Sequence, residues 1–116
     1  MDKEKIKLIK KAFLEYEDNK KQVGKVNNLF LSEKVVDYQE EEKIKKLQKQ
    51  IAMRDILYMQ INEEDKEYID LRFTEKLSVY DICSRLYISE SGYYRRMRNI
   101  YKILLEHFVI FEEIFK

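Results

Sequence analysis

Five basic side chains are concentrated in one stretch towards the C-terminal end of the sequence. The segment from Arg85 to Lys102 carries a formal charge of +4, whereas the whole chain carries +1. Guanidinium groups pair with phosphate oxygens and reach guanine edges, so the chemistry open to this cluster is the binding of a polyanion. Its members are Arg85, Arg95, Arg96, Arg98 and Lys102, opposed by the single acid Glu90.

The cluster lies on a segment with the periodicity of an amphipathic helix. At about 100° per residue, six apolar side chains fall within about 60° of one line, and Arg95, Asn99 and Lys102 point to the opposite side. Ser89 precedes the first turn and predicts an N-cap. A buried apolar face with outward arginines is typical of a major-groove recognition helix. The apolar set is Tyr93, Tyr94, Met97, Ile100, Tyr101 and Leu104.

Two shorter helices are predicted directly before this one. Asn62, followed by Glu63, Glu64 and Asp65, indicates a helix start, and that helix should end near Thr74. Ser78 and Asp81 have the spacing of a second cap, and a short helical face follows, formed by Val79, Ile82, Cys83 and Leu86. The three helices together predict a compact trihelical domain built around a helix-turn-helix.

The composition favours an all-α protein. The 116 residues include no proline and only two glycines, and 39% of them are charged. One cysteine excludes an internal disulfide, and no Cys/His spacing indicates a zinc site, so no metal and no cofactor are expected. The segment Met1–Lys11 lacks the apolar core of a signal peptide, and the longest apolar run, Phe108–Phe111, cannot span a bilayer. We therefore expect a soluble, cytoplasmic protein that does not contact a membrane.

Residues 1–61 predict an N-terminal helical arm with a role in dimerisation. One helix should run from Asp2 to about Lys21 and end between Gln22 and Asn28, where Gly24 offers turn chemistry. Ser32 could cap a longer helix that passes Val35 and Val36 and continues to about Gln60. That helix has an apolar seam, interrupted at Arg54 or Asp55, which could pack against a second subunit or against the first helix. The seam consists of Ile44, Leu47, Ile51 and Tyr58.

Residues 62–116 predict the helix-turn-helix domain with an extended C-terminal helix. From Leu104 to Phe115, eight of twelve residues are apolar. Val109 and Ile110 project away from the apolar helix face that contains Met97, so they require a packing partner other than the domain's own core. We expect a homodimer, which would place two recognition helices in successive major grooves.

The segment from about Asn62 to Lys102 resembles the sigma-factor region 4 type of helix-turn-helix. It is most similar to the ArpU/RinA-like regulators of late transcription in phages of Gram-positive bacteria. The resemblance implies a sequence-specific, double-stranded DNA-binding transcription regulator. Two residues depart from the pattern, since Cys83 replaces an alanine and Tyr87 stands where glycine or asparagine would ease a left-handed turn. The matching motifs are EYIDLRF at 67–73, LSVYDICSRLYIS at 77–89 and YYRRMRNI at 93–100.

The predicted DNA-binding residues divide into two roles. The bases should be faced by side chains near the start of the recognition helix, and the phosphates should be held by the basic residues around it. Ser89 caps the helix at the same end and completes the predicted interface. The base-facing set is Ser91, Gly92, Arg95 and Asn99, and the phosphate-binding set is Arg85, Arg96, Arg98 and Lys102.

No catalytic constellation accompanies these residues. His107 is the single histidine and falls in an apolar helix, and Cys83 lies on a buried face without a basic neighbour. We therefore expect a protein that is not an enzyme. The alternative is a helical assembly protein whose basic patch meets an acidic protein surface, such as RNA polymerase or a packaging component. A phage DNA-packaging recognition subunit could use the same motif.

Overall fold

The computed structural model describes residues 2–31 and 38–114, and all regular structure in these ranges is helical, as the composition predicts. No helix among the described residues is long and apolar enough to cross a membrane. A five-residue π-helical segment, Asp70–Thr74, follows the fourth helix directly. The α-helices are α1 Lys3–Leu14, α2 Tyr16–Leu31, α3 Tyr38–Met59, α4 Glu63–Ile69, α5 Val79–Leu86 and α6 Glu90–Ile114.

The first helical segment differs from the prediction in two places: it contains a break, and its C-terminal end lies further along the chain. Asp2 caps α1 by accepting hydrogen bonds from the backbone N–H groups of Glu4 and Lys5, and the helix breaks at Glu15. The chain then continues as α2 through Gly24, so the predicted end between Gln22 and Asn28 was wrong. Glycine inside a helix costs only about 1 kcal/mol, which packing of α2 on α3 can offset. The predicted cap at Ser32, and Val35 and Val36 after it, lie outside the described residues.

Helices α2 and α3 form an antiparallel pair. The Tyr16 hydroxyl at the start of α2 donates to the Asp55 carboxylate late in α3, at 2.6 Å. The apolar seam of α3 is covered within the chain, because Ile44 is buried and its other three members are half-buried. This packing is one of the two arrangements left open for the seam, and its pairing with a second subunit stays a prediction.

One hydrophobic core joins the two predicted regions, 1–61 and 62–116. Helix α1 lies against α3, α6 and the π-helical segment. Phe13 of α1 meets Phe73 of the π-helical segment with ring centroids 5.9 Å apart. The arm is therefore part of the platform that holds the helix-turn-helix. The fully buried side chains of this core are Ile9, Leu57, Ile69, Ile82, Ile100 and Leu104.

Arg54, which interrupts the apolar seam in the sequence, is held between aromatic rings. Its guanidinium lies 3.9 Å from the Tyr16 ring centroid and 4.0 Å from that of Tyr58, and only 11% of the side chain is exposed. The Tyr58 hydroxyl in turn donates to Asp70, and burial together with this hydrogen bond raises the pKa of Tyr58 to about 12. Through this hydrogen bond Tyr58 links α3 to the π-helical segment.

Candidate nucleic-acid interface

Helix α4 begins where the sequence predicts, and the π-helical segment that continues it ends at the predicted position. The Asn62 side chain accepts a hydrogen bond from the backbone N–H of Asp65 at 2.8 Å, and the helical segment stops at Thr74. A short connection then leads to α5, and it is held by hydrogen bonds from the Leu77 N–H to the Leu71 carbonyl and from Arg72 to the Leu77 carbonyl. These bonds set the position from which the helix-turn-helix starts.

Both helices of the helix-turn-helix begin with a serine cap. The Ser78 hydroxyl accepts from the N–H of Asp81 at 3.1 Å, and the Ser89 hydroxyl accepts from that of Gly92 at 3.0 Å, which confirms both predicted caps. A Cβ at Gly92 would lie 3.1 Å from the Ser89 oxygen, so glycine leaves room for this cap. Tyr87 ends α5 in the left-handed conformation, with φ 55° and ψ 46°.

Replacing Tyr87 by glycine is expected to stabilise the protein. The Tyr87 side chain is 95% exposed, so little packing is lost, while glycine removes the steric cost of the left-handed backbone. We expect the free energy of unfolding, measured by urea denaturation, to rise by about 0.5–1 kcal/mol. Tyr80→Gly is the matched control, because Tyr80 is also exposed, at 75%, but lies inside α5, so its replacement should destabilise by about 0.5 kcal/mol. A loss of stability in both variants would contradict this account of the turn.

The inner face of α6 is buried as its periodicity predicts, with one exception. Tyr93, Met97 and Ile100 are at most 4% exposed, and the buried stripe continues through Leu104 and Phe108. Tyr94, assigned to this face from the sequence, is instead 53% exposed and sets its ring edge-on to Tyr93 at 5.2 Å. Tyr94 lies at the border of the stripe, where a ring with a polar tip tolerates water.

The outer face of α6 carries a row of exposed cations. Ser91, Arg95, Arg98 and Lys102 follow one another at spacings of four, three and four residues, so they line one side of the helix over about 17 Å. In the part of the chain that the structure describes, none of the three cations has an ion-pair partner, and Asn99 is exposed beside them. We call this row, Ser91, Arg95, Arg98, Asn99 and Lys102, the outer face of α6.

Arg85 lies apart from this row at the end of α5. Its guanidinium is 3.4 Å from the Glu75 carboxylate, and both side chains are about half exposed. An ion pair in water contributes about 0–1 kcal/mol, so Arg85 can exchange Glu75 for a phosphate at little cost.

Arg96 occupies a different position from the one expected of a phosphate-binding residue. Its Nε donates to Asp65 at 2.6 Å and its second amino group donates to Glu64 at 2.9 Å. The hydrogen bonds to Asp65 and Glu64 raise the pKa of Arg96, so the guanidinium remains charged. Arg96 therefore ties α6 to α4, and its assignment to the phosphates stays a prediction. From the sequence, the two acids are expected only to favour the helix dipole, and no pattern within α4 indicates this contact.

These features together define a helix-turn-helix DNA-binding domain, in which α5 and α6 are joined by a tight turn and α6 presents its basic face to solvent. Residues 57–111 match the family model of the Mga helix-turn-helix domain. The match supports double-stranded DNA binding; it extends neither to sigma region 4 nor to the ArpU/RinA-like group, whose resemblance holds at the level of the helix-turn-helix. Comparisons with curated proteins and with solved structures gave no match.

Proposed function

We propose that this protein is a transcription regulator that binds double-stranded DNA in a sequence-specific manner through α6. The observation that carries the proposal is the row of exposed cations without carboxylate partners on the outer face of α6, within a domain that matches a helix-turn-helix family. Unpaired arginines on an exposed helix face repel one another. Bound phosphates would neutralise this positive charge, which no carboxylate among the described residues neutralises.

The roles of the side chains follow from their order along α6. Ser91, Gly92, Arg95 and Asn99 lie in the first three turns, which enter the groove in helix-turn-helix complexes. Arginine can bond guanine O6 and N7 together, and asparagine can pair with adenine in the same manner. Arg98 and Lys102 lie on the same side, and Arg85 lies at the end of α5, so these three are suited to the flanking phosphates.

The resemblance of residues 67–100 to late regulators of phages supplies the biological setting of the proposal. In that setting the protein would activate late genes and could contact RNA polymerase through an exposed part of the domain. A packaging recognition subunit would use the same DNA interface. The two roles differ in the DNA sequence that is bound, because a regulator selects sites close to promoters.

Selection from a random pool of duplex DNA tests the proposed function. The wild-type protein should enrich one motif and bind it at least about 10³-fold more tightly than random duplex at physiological salt. Enrichment of no motif, with equal and weak binding to all duplexes, would contradict sequence-specific recognition. Absence of any DNA binding would favour the alternative in which the basic face meets an acidic protein.

We further propose a homodimer in which α6 contributes the contact surface. Val109 and Ile110 are 45% and 52% exposed, beyond the segment that enters the groove. Two recognition helices about 34 Å apart would then bind a palindromic site, and the selected motif should show that symmetry.

The double variant Val109→Glu, Ile110→Lys is expected to be monomeric and to lose most of its affinity for the palindromic site. Light scattering at tens of micromolar and a binding titration measure the two effects. Met59→Glu is the control, because Met59 is 73% exposed at the end of α3 and lies outside this surface. A wild type that is monomeric under the same conditions would contradict the dimer.

A further inference from the structure

A small cavity with a positively charged rim lies where α1, the π-helical segment, α5 and α6 meet. It has a volume of about 210 Å³, below the roughly 300–1,000 Å³ of most small-molecule sites. Its charged lining residues are two cations, Lys10 of α1 and Arg72 of the π-helical segment. Tyr93, Tyr94 and Tyr101 of α6 form much of the remaining wall.

Both cations are exposed and line the same cavity. The Lys10 ammonium is 5.2 Å from the centroid of the Tyr101 ring, and the charge of Arg72 acts on the hydroxyls of Tyr93 and Tyr101. Within the described part of the chain, neither cation has a carboxylate partner. Arg72 uses one amino group to donate to the Leu77 carbonyl, so its other N–H groups remain available to a ligand.

The charge of this cavity is unlike that of a second depression on the domain. A cavity of about 420 Å³ beside α4 contains two cations, but carboxylates outnumber them, so it offers no preference for an anion. Its acidic residues are Glu63, Glu67, Asp70 and Glu75.

The cavity adjoins the outer face of α6. Tyr94, half exposed at the rim, is followed one turn later on the same side by Arg98. The ion pair between Lys5 and Glu112, at 3.6 Å, and the contact of Lys10 with Tyr101 show that α1 runs alongside α6. A helix in a major groove about 12 Å wide has a phosphate backbone on each flank. The flank marked by Tyr94 and Tyr101 is the one that carries Lys10 and Arg72.

We propose that Lys10 and Arg72 bind a backbone phosphate of the DNA at the edge of the groove that α6 enters. The proposal rests on the proposed function and adds α1, which contains none of the residues predicted from the sequence to bind DNA, to the DNA-contacting surface. Lys10 supplies a mobile ammonium and Arg72 a guanidinium already oriented by Leu77, so the two reach one phosphate from different elements. Because α1 belongs to the shared core, this contact also fixes the arm against the DNA.

The test is a binding titration of the full chain on the selected duplex and on random duplex over a range of salt concentrations. The double variant Lys10→Gln, Arg72→Gln should bind both duplexes about tenfold more weakly, and the slope of log K against log salt should fall by about 0.9, the value for one phosphate. Arg72→Lys preserves the charge and should keep most of the affinity. Lys21→Gln, Lys25→Gln is the charge-matched control on α2, where both lysines are exposed, and it should stay within about twofold of wild type.

Three results would overturn the proposal in distinguishable ways. If Lys10→Gln and the double variant keep wild-type affinity and slope while Arg95→Ala loses binding, the proposed function stands and the phosphate site does not. A wild type that binds no DNA removes both. If inorganic phosphate raises the melting temperature of the wild type but not of Lys10→Gln, and DNA binding is unchanged, the cavity holds a free anion. Lys10 is exposed, so Lys10→Gln alone decides the matter if the Arg72→Gln protein does not fold.

Discussion

Arg96→Ala is expected to lower the free energy of unfolding by about 2–3 kcal/mol. The change leaves the carboxylate of Asp65, a residue that is only 5% exposed, without its partner at 2.6 Å. Removing one member of a fully buried ion pair costs about 3–5 kcal/mol, and the lower figure here reflects the 34% exposure of the Arg96 side chain. Urea denaturation measures the loss, which should also lower the melting temperature by roughly 10 °C.

Two further variants distinguish the loss of this ion pair from the general effect of removing a positive charge from α6. Arg98→Ala removes an exposed arginine two residues away and should change the stability by less than about 0.5 kcal/mol. Replacing Asp65 and Arg96 together by leucine and methionine should recover at least half of the loss, because no unpaired charge then remains buried. An Arg96→Ala protein as stable as Arg98→Ala would contradict the structural role of this residue.

Arg95→Ala is expected to weaken binding to the selected DNA site by about 1–3 kcal/mol, or roughly five- to 150-fold. Arg95 is exposed in the second turn of α6 and has no ion-pair partner among the described residues. Its loss removes a contact to a base edge, so the preference for one base pair should relax while binding to random duplex changes little.

Arg98→Ala is the matched comparison within the same row. It should weaken binding to the selected and the random duplex alike and lower the salt slope by about 0.9. Binding titrations of both variants on both duplexes over the same range of salt concentrations give the comparison directly. Equal losses for Arg95→Ala on specific and random DNA would show that Arg95 contacts phosphate, and the assignment of base recognition to this turn would then fail.

The caps and the turn of the helix-turn-helix were predictable because each depends on residues within one helical turn. Ser78 bonds the N–H three residues later, Ser89 does the same, and Tyr87 takes the left-handed conformation that the resemblance indicated. Such contacts close small loops, so their geometry is present in the local sequence. The end of the first helical segment was not predictable in this way, since Gly24 is tolerated inside α2 where packing on α3 offsets its cost.

The sequence by itself determined the helical class, the start of α4, the helix-turn-helix and the outward placement of Arg95, Asn99 and Lys102, because these follow from spacing along one helix. Only the tertiary structure decided which arginines are open to a ligand. Arg96 meets Asp65, which is 31 residues away, and Arg54 sits between the rings of Tyr16 and Tyr58. The position of an arginine on its helix follows from the local sequence. Its ion-pair partner depends on how helices distant in sequence pack together, and the periodicity within one segment does not contain that information.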